Sequence, residues 1–279
     1  MNKEVKKLYR QKITAEITVI IGSIIVITTG IIYSQTSHVL FSGIGLVIGL
    51  LLVFFGVSNF SHLKETFKET FISNHLSEWM KGGDYYPHVG LSKIQVYGSD
   101  FFNPSEKYYS EALITGAVDN IPFLSSDLML YTKKTDSLPF FSGRLFIFEF
   151  NTPLNIALLA LQDKNKPIAT KQYYYSEKFT RKLNGEYRVF SIKHPVVEKL
   201  FTQTFIEHMN ALNRLHRDTI NFSIKESKMY ISFNDHTDTF ALKFLRPLNK
   251  LQLRRFQKDV AVIRDLLNDI KHNEVLYEY

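Results

Sequence analysis

Cysteine is absent from the chain. That excludes disulfides, thiolate zinc sites and thiol nucleophiles, and it suits a reducing compartment. Recognisable catalytic signatures are missing as well. There is no HExxH pair, no phosphate-binding glycine loop, no GxSxG elbow and no dinucleotide fingerprint. Low-complexity tracts are lacking, and one short repeat, Lys64-Glu65-Thr66-Phe67 followed by Lys68-Glu69-Thr70-Phe71, has helical spacing but is too brief for a solenoid. Charge is missing where it matters most. Ile17–Tyr33 and Val39–Val57 contain no charged residue, and only five residues separate them.

These two runs are what the sequence states most clearly. A membrane span needs about 20 apolar residues, because a helix rises about 1.5 Å per residue across about 30 Å of hydrocarbon. Ile17–Tyr33 reaches that length as Thr14–Ser34, with Glu16 left at its edge one turn from Lys12. An acid at the centre of a span costs roughly 2.5–3.5 kcal/mol, whereas each Ile or Val gains roughly 0.3–0.6 kcal/mol. Ten Ile and Val residues in the first run and fourteen Val, Leu, Ile or Phe residues in the second favour insertion. A cleavable signal peptide fits poorly. The apolar core is too long, no small-residue cleavage site follows Tyr33, and a second span begins almost at once. A buried globular helix pair fits worse, since neither run has a polar face.

Flanking charge sets the expected orientation. Lys3, Lys6, Lys7, Arg10 and Lys12 precede the first span against Glu4 alone, the Ser34–His38 loop carries no formal charge, and Lys64 and Lys68 follow the second. The positive-inside bias therefore places both termini in the cytoplasm of a multi-pass cell-membrane protein. Residues 1–12 hold four of the seven net positive charges, so the high isoelectric point is a topology signal and not a nucleic-acid footprint. Gly45 and Gly49 form a small-xxx-small pair of the kind that lets helices approach closely in lipid. They pack either against Gly22, Ser23 and Thr29 of the first span, which the short loop favours, or at an oligomer interface.

Three regions follow from this reading: a hairpin over 1–58 with spans at about 14–34 and 39–57, a juxtamembrane amphipathic helix over 59–84, and a cytoplasmic domain over 85–279. In Phe60–Met80, residues Phe60, Leu63, Phe67, Phe71, Leu76 and Trp79 recur at helical intervals up to Gly82-Gly83. That helix either lies among headgroups or docks on the domain core; docking is the simpler use. Short aromatic and β-branched runs then predict strands at Ile94–Tyr97, Ala112–Val118, Asp127–Thr132, Leu145–Phe150 and Ile156–Leu161. Asp119-Asn120 and Asn151-Thr152-Pro153 are turn material, and polar Asp163–Lys171 is expected to be a loop. Tyr187–Ile192 predicts a strand, and Pro195 opens a helix to about Leu215 with Val197, Leu200, Phe201, Phe205, Met209 and Leu212 on one face. Thr219–Ile224 and Lys228–Phe233 alternate strictly across Lys225-Glu226-Ser227 and predict a hairpin. Thr239–Phe244 adds a possible strand. A last helix from Leu248 to Ile270 carries Leu253, Phe256, Val260, Ile263, Leu267 and Ile270 at 3-4-3-4-3 spacing, more suited to docking on a sheet than to a coiled coil. The fold class is α+β: a transmembrane helical hairpin, then a mainly antiparallel sheet domain with two long amphipathic helices.

Few residues suggest chemistry. His208 and His216 share a helix but stand eight apart, too far for an i, i+4 metal pair. Asp235-His236-Thr237-Asp238 gathers donors in a turn, where Asp is favoured for backbone reasons alone. No cofactor or metal is expected. From Ala241 to Lys258 there are six bases and no acid: Lys243, Arg246, Lys250, Arg254, Arg255 and Lys258. Beside an anionic leaflet each gains about 1 kcal/mol, so this run is the candidate lipid or phosphate patch; its plainer reading is a solvated helix face.

In order, these segments resemble the bacterial domain-of-unknown-function family numbered 3137. The resemblance lies in the hairpin and its Phe- and Lys-rich helix, in Tyr108–Gly116, in Phe140-Phe141-Ser142-Gly143-Arg144-Leu145-Phe146, and in Tyr187-Arg188-Val189-Phe190-Ser191. It continues in Ile220–Ile224 with Met229-Tyr230-Ile231, and covers roughly residues 60–270. Lys178-Phe179-Thr180-Arg181-Lys182 departs from it, standing where an acidic-aromatic lead-in is expected. The resemblance implies a bacterial integral membrane protein and transfers no catalytic residue. The sequence therefore reads as a non-enzymatic, membrane-anchored binding or scaffold module. Its expected partners are the bilayer, anionic headgroups and an unidentified protein, with no nucleic acid. The alternatives are a membrane-associated enzyme acting on lipid-linked or phosphorylated substrates, and an oligomeric membrane effector.

Overall fold

The computed structural model describes residues 3–36, 39–79, 82–104, 107–131, 138–162, 173–183, 186–192, 194–216, 219–235, 240–247 and 251–277. Two compact units share them: Met1–Asn74 with Phe240–Lys250, and His75–Thr239 with Leu251–Tyr279. The loop expected at Asp163–Lys171 lies outside the described residues, as do Ser37, His38, His236 to Thr239 and Lys250.

In the first unit, α1 (Lys3–Thr36) and α2 (Val39–Thr66) are long helices, each long and apolar enough to cross a membrane. Only 22% and 17% of their most apolar stretches are buried. Ile24, Ile27, Leu40, Phe41, Leu51 and Phe54 all stand more than half exposed. So large a contiguous apolar surface is rare on a soluble protein and suggests membrane association. The two helices meet along small residues. A Cβ on Gly49 would lie 2.7 Å from Val26 Cγ2 and 3.0 Å from the Gly22 carbonyl oxygen, and one on Gly45 would lie 2.6 Å from Thr29 Oγ1. Gly56 extends the seam against Val19 and the Ala15 carbonyl. Close backbone approach of this kind supplies the packing contacts that lipid cannot.

Past the apolar run, α2 does not end. It passes through a π-helical segment, Phe67–Ile72, into α3 (Ser73–Trp79). The wider i→i+5 ring adds a residue to the turn and shifts the face that follows. Phe67 and Phe71 stack at 5.0 Å, and both are buried.

The second unit is a nine-stranded sheet flanked by helices. Its strands are β1 (Asp84–Tyr86), β2 (Lys107–Val118), β3 (Ile121–Tyr131), β4 (Phe141–Glu149), β5 (Ala157–Leu161), β6 (Tyr174–Tyr175), β7 (Arg188–Ser191), β8 (Thr219–Lys225) and β9 (Lys228–Asn234). The spatial order is β1-β2-β3-β4-β9-β8-β5-β7-β6. Every strand pair is antiparallel, which permits hairpins with two-residue turns. Asp119 and Asn120 make one, both with positive φ (48° and 68°), as the primed turns of right-twisted hairpins require. Glu226-Ser227 makes another, with Lys225 opposite Lys228.

Both sheet faces are covered. On one, α7 (Gln203–Leu215) and α8 (Leu251–Lys271) pack on phenylalanines: Phe256 stacks on Phe146 at 5.6 Å, and Phe205 meets Phe222 edge-on at 5.8 Å. The predicted apolar stripe of α8 is buried throughout, from Leu253 to Ile270. On the other face, the 84–104 segment and its α4 (Lys93–Tyr97) bring Leu91, Val96, Phe101 and Phe102 onto Leu128, Phe141, Leu145 and Tyr230.

Three predicted elements differ. Ile94–Tyr97 is helical and not a strand, because Ser92 accepts from Gln95 N while the Gln95 side chain accepts from Ser92 N, closing a capping box. The helix opened near Pro195 is two helices: α6 (His194–Leu200) stops, and Thr202 caps α7 by accepting from Phe205 N. Phe240–Phe244 is not a strand; with residues up to Lys250 it belongs to the first unit. A short α5 (Glu177–Lys182), capped by Ser176, occupies the segment that departs from the family pattern.

Candidate functional site

A concave feature of the first unit lies at the charged end of the hairpin. Residues 5–15 of α1 and 59–71 of α2 and its π-helical continuation enclose a cleft of about 740 Å³. Lys7, Arg10, Gln11, Asn59, His62 and Thr66 supply its polar lining, and Val5, Leu8, Leu63 and Phe71 its apolar wall. Lys7 and Arg10 bring two positive charges to this lining, and among the described residues no acidic side chain joins them. The periodicity explains the arrangement. Leu8 and Leu63 are buried, while Lys7 and Arg10, one and two positions from Leu8, are exposed and line the opening.

Glu16 organises another part of the same unit. Its carboxylate accepts from the Lys12 ammonium and, at 2.7 Å, from the backbone N–H of Leu245. Phe244 meets Phe60 edge-on at 5.3 Å, with the Lys12 and Lys64 ammoniums 5.9 and 5.8 Å from the same ring. Leu245 adopts a φ of 57° to present its N–H. Sequence reasoning left Glu16 at the edge of a span, one turn from a lysine. It missed the loop partner, which lies 229 residues away.

The six bases of the candidate patch fall in different places. Lys243 and Arg246 are exposed in the 240–247 segment of the first unit, and Lys250 lies outside the described residues. Arg254, Arg255 and Lys258 are exposed on α8 of the second unit. Arg255 is also engaged: its guanidinium lies 3.4 Å from Asp235 and 3.2 Å from His216 Nδ1. Gly45 and Gly49 sit in the seam between α1 and α2 of one molecule.

The titratable clusters of the second unit face inward. His216 stacks on Phe233 at 4.0 Å and has both ring nitrogens occupied, Nε2 by Asp259 at 2.9 Å and Nδ1 by Arg255. His208 pairs with Asp269 at 2.7 Å. The two histidines, one on α7 and one at its C-terminal cap, thus pair with two aspartates ten apart on antiparallel α8. Arg144 bonds Asp127 at 2.8 Å across β3 and β4 and lies 5.5 Å over Phe256. Asp100 accepts from Tyr173 and from Lys225, each at 3.0 Å. Burial, with the charge of Asp100 beside it, pushes the Tyr173 phenol far up, and burial pushes Tyr230 up to about 12. Among the described residues no group of three His, Asp or Glu side chains is arranged to hold a metal ion.

The family described as "Protein of unknown function (DUF3137)" matches residues 140–272. The match takes in the Phe140–Phe146 and Tyr187–Ser191 blocks and the β8–β9 hairpin, and begins after Tyr108–Gly116. No curated protein matches. Among solved structures, the crystal structure of the mycobacterial trehalose monomycolate transport factor A, TtfA, is similar at 9% identity and a TM-score of 0.42. The similarity covers 72% of this chain and 96% of that one.

Proposed function

From a chain that matches the DUF3137 family over residues 140–272, we propose a membrane-anchored binding module with its sheet domain displayed to the cytoplasm. The observation that carries this is the apolar surface along α1 and α2, most of which no protein atom covers. Lipid is the solvent that such a surface requires. The charge asymmetry of the flanks supports a cytoplasmic location for both ends. A domain whose buried His216, Asp259, Asp127 and Asp100 already have hydrogen-bonding partners supports a binding role over a catalytic one.

The absence of cysteine makes the topology directly testable, since one introduced thiol gives one signal. Ser34→Cys is expected to react with an impermeant maleimide on intact cells, and Glu274→Cys only after permeabilisation. The reverse pattern, or extraction of the chain by alkaline carbonate, overturns the reading. The binding role predicts a stoichiometric protein or lipid partner after affinity capture from gently solubilised membranes; capture of neither rejects it.

A further inference from the structure

We propose that the cleft at the charged end of the hairpin binds the phosphate headgroup of an anionic membrane phospholipid. The inference rests on the membrane reading above and names a ligand class for one site within it.

Depth is the first argument. The apolar run of α1 begins at Ile17 and that of α2 ends at Val57. At about 1.5 Å per residue, Arg10 stands about 10 Å beyond the first boundary and Asn59 about 3 Å beyond the second. The polar layer of a bilayer occupies roughly 5–8 Å on each side of the hydrocarbon. Asn59 and Thr14 therefore lie within it and Arg10 just beyond it, while Lys7, about 15 Å from the boundary, stands at the solvent end of the cleft. The membrane-proximal end of the cleft opens at phosphate depth.

Chemistry is the second. Lys7 and Arg10 offer two cations, and Gln11, Asn59, His62 and Thr66 offer hydrogen-bond donors around them. Guanidinium and ammonium groups bind phosphate through short charge-assisted bonds. The nearest buried acid on α1, Glu16, is compensated by Lys12 and the Leu245 N–H and is not part of the lining. Ala15 and Leu63, toward the membrane-proximal end, form an apolar wall that a free phosphate would leave unused and the glycerol backbone of a lipid would lie against. A volume of about 740 Å³ is far more than a lone phosphate requires and falls within the ordinary range of small-molecule sites. The π-helical turn contributes Thr70 and Phe71 to the solvent end of the lining, and such turns recur at functional sites.

The test uses the full chain in nanodiscs of phosphatidylcholine carrying a minor fraction of fluorescent phosphatidylglycerol, read by energy transfer from Trp79 or by native mass spectrometry. The wild type is expected to retain phosphatidylglycerol at least ten-fold better than phosphatidylcholine. Lys7→Gln with Arg10→Gln should weaken retention about thirty-fold, from about five-fold per hydrogen bond to the phosphate lost with each side chain. Lys6→Gln with Lys64→Gln removes two charges from exposed positions outside the lining and should change it less than two-fold. Asn59→Trp, which fills the cleft and alters no charge, should abolish the preference. Equal losses in both double variants would mean diffuse surface attraction and overturn the site. Retention no better than that of phosphatidylcholine would overturn it too, as would displacement of the lipid by equimolar inorganic phosphate. A chain that washes out of membranes with carbonate fails the anchoring proposal itself; one that stays and lacks the lipid preference fails this inference alone.

Discussion

His216 Nε2 lies 2.9 Å from Asp259 Oδ1, and both side chains are buried between α7, α8 and the sheet. The Arg255 guanidinium faces the other ring nitrogen at 3.2 Å. A guanidinium only donates, so Nδ1 must accept. The proton of the neutral ring therefore sits on Nε2 and is given to Asp259. His216→Phe preserves the stack on Phe233 but leaves Asp259 buried without its donor, a loss of about 3 kcal/mol for a buried charge stripped of its partner. His216→Phe with Asp259→Leu should recover most of it. A double-mutant cycle by chemical denaturation checks this, and additive losses would mean that the two side chains do not interact.

Gly143 lies inside the resemblance block on β4, and a Cβ there would fall on the Phe233 carbonyl oxygen of β9. That obstacle is backbone in the middle of a paired ladder, with Arg144 opposite Phe233. It cannot rotate away as a side chain would. Gly143→Ala should cost about 3 kcal/mol, the upper end for overpacking, and should show as a lower denaturation midpoint. A midpoint shifted by less than a tenth of that loss would mean that the two strands are not so closely apposed.

Tyr230 gives a pH dependence with a definite sign. Burial raises its phenol to about 12, helped by the charges of Glu226 and Asp100. A raised value means that the folded chain holds the proton more tightly. The stabilisation is complete below the ordinary tyrosine range near 10 and disappears as pH climbs from there to about 12. Stability should accordingly fall across that window, with Tyr230→Phe showing a shallower slope. Tyr173, shifted the same way by burial and Asp100, should add to the slope. A decline of unchanged steepness in both phenylalanine variants would exclude these tyrosines as its source.

Much of this architecture is written in local pattern. The spacing of Leu253, Phe256, Val260, Ile263, Leu267 and Ile270 predicts a docked helix, and all six are buried. Asp119-Asn120 and Lys225-Glu226-Ser227 mark hairpins because turns are decided by the few residues they contain. What periodicity could not expose depends on partners remote in the chain. Nothing local to Glu16 announces the Leu245 N–H, and nothing in Ala241–Lys258 announces that its bases divide between two compact units. Ile94–Tyr97 was open to a better reading, since Ser92 and Gln95 carry capping-box spacing that outranks a short apolar run. The cleft was hidden for another reason. It needs residues 5–15 and 59–71 together, and each stretch alone looks like a topology signal.

Glu16 sets the next expectation. Glu16→Ala strips the buried Lys12 of its counter-charge and the Leu245 N–H of its acceptor. The 240–247 segment should then become accessible, and trypsin should cut after the exposed Lys243 at least ten-fold faster in detergent-solubilised protein. Glu16→Gln retains a carbonyl acceptor for Leu245 and should fall between the two. Identical digestion of all three would remove the carboxylate from any role in holding the segment.

The glycine seam predicts a contrast within a single helix. Gly49 faces Gly22 and Val26 with no room for a Cβ, whereas Gly43 has nothing within 4 Å of the position a Cβ would take. Both substitutions to leucine add the same apolar volume to α2, so bulk hydrophobicity and insertion propensity change alike. Only Gly49→Leu forces the backbones apart, and with them the neighbouring contacts of Gly45 on Thr29 and Gly56 on Val19. Gly49→Leu should lower the Tm of the detergent-solubilised chain by several degrees or prevent its accumulation, while Gly43→Leu leaves it unchanged. Were these glycines instead to mediate association between copies, Gly49→Leu would dissociate an oligomer and leave the Tm of each chain intact. Size-exclusion profiles and melting curves of the two variants separate the outcomes, because a seam closed within one molecule is lost by unfolding and not by dilution.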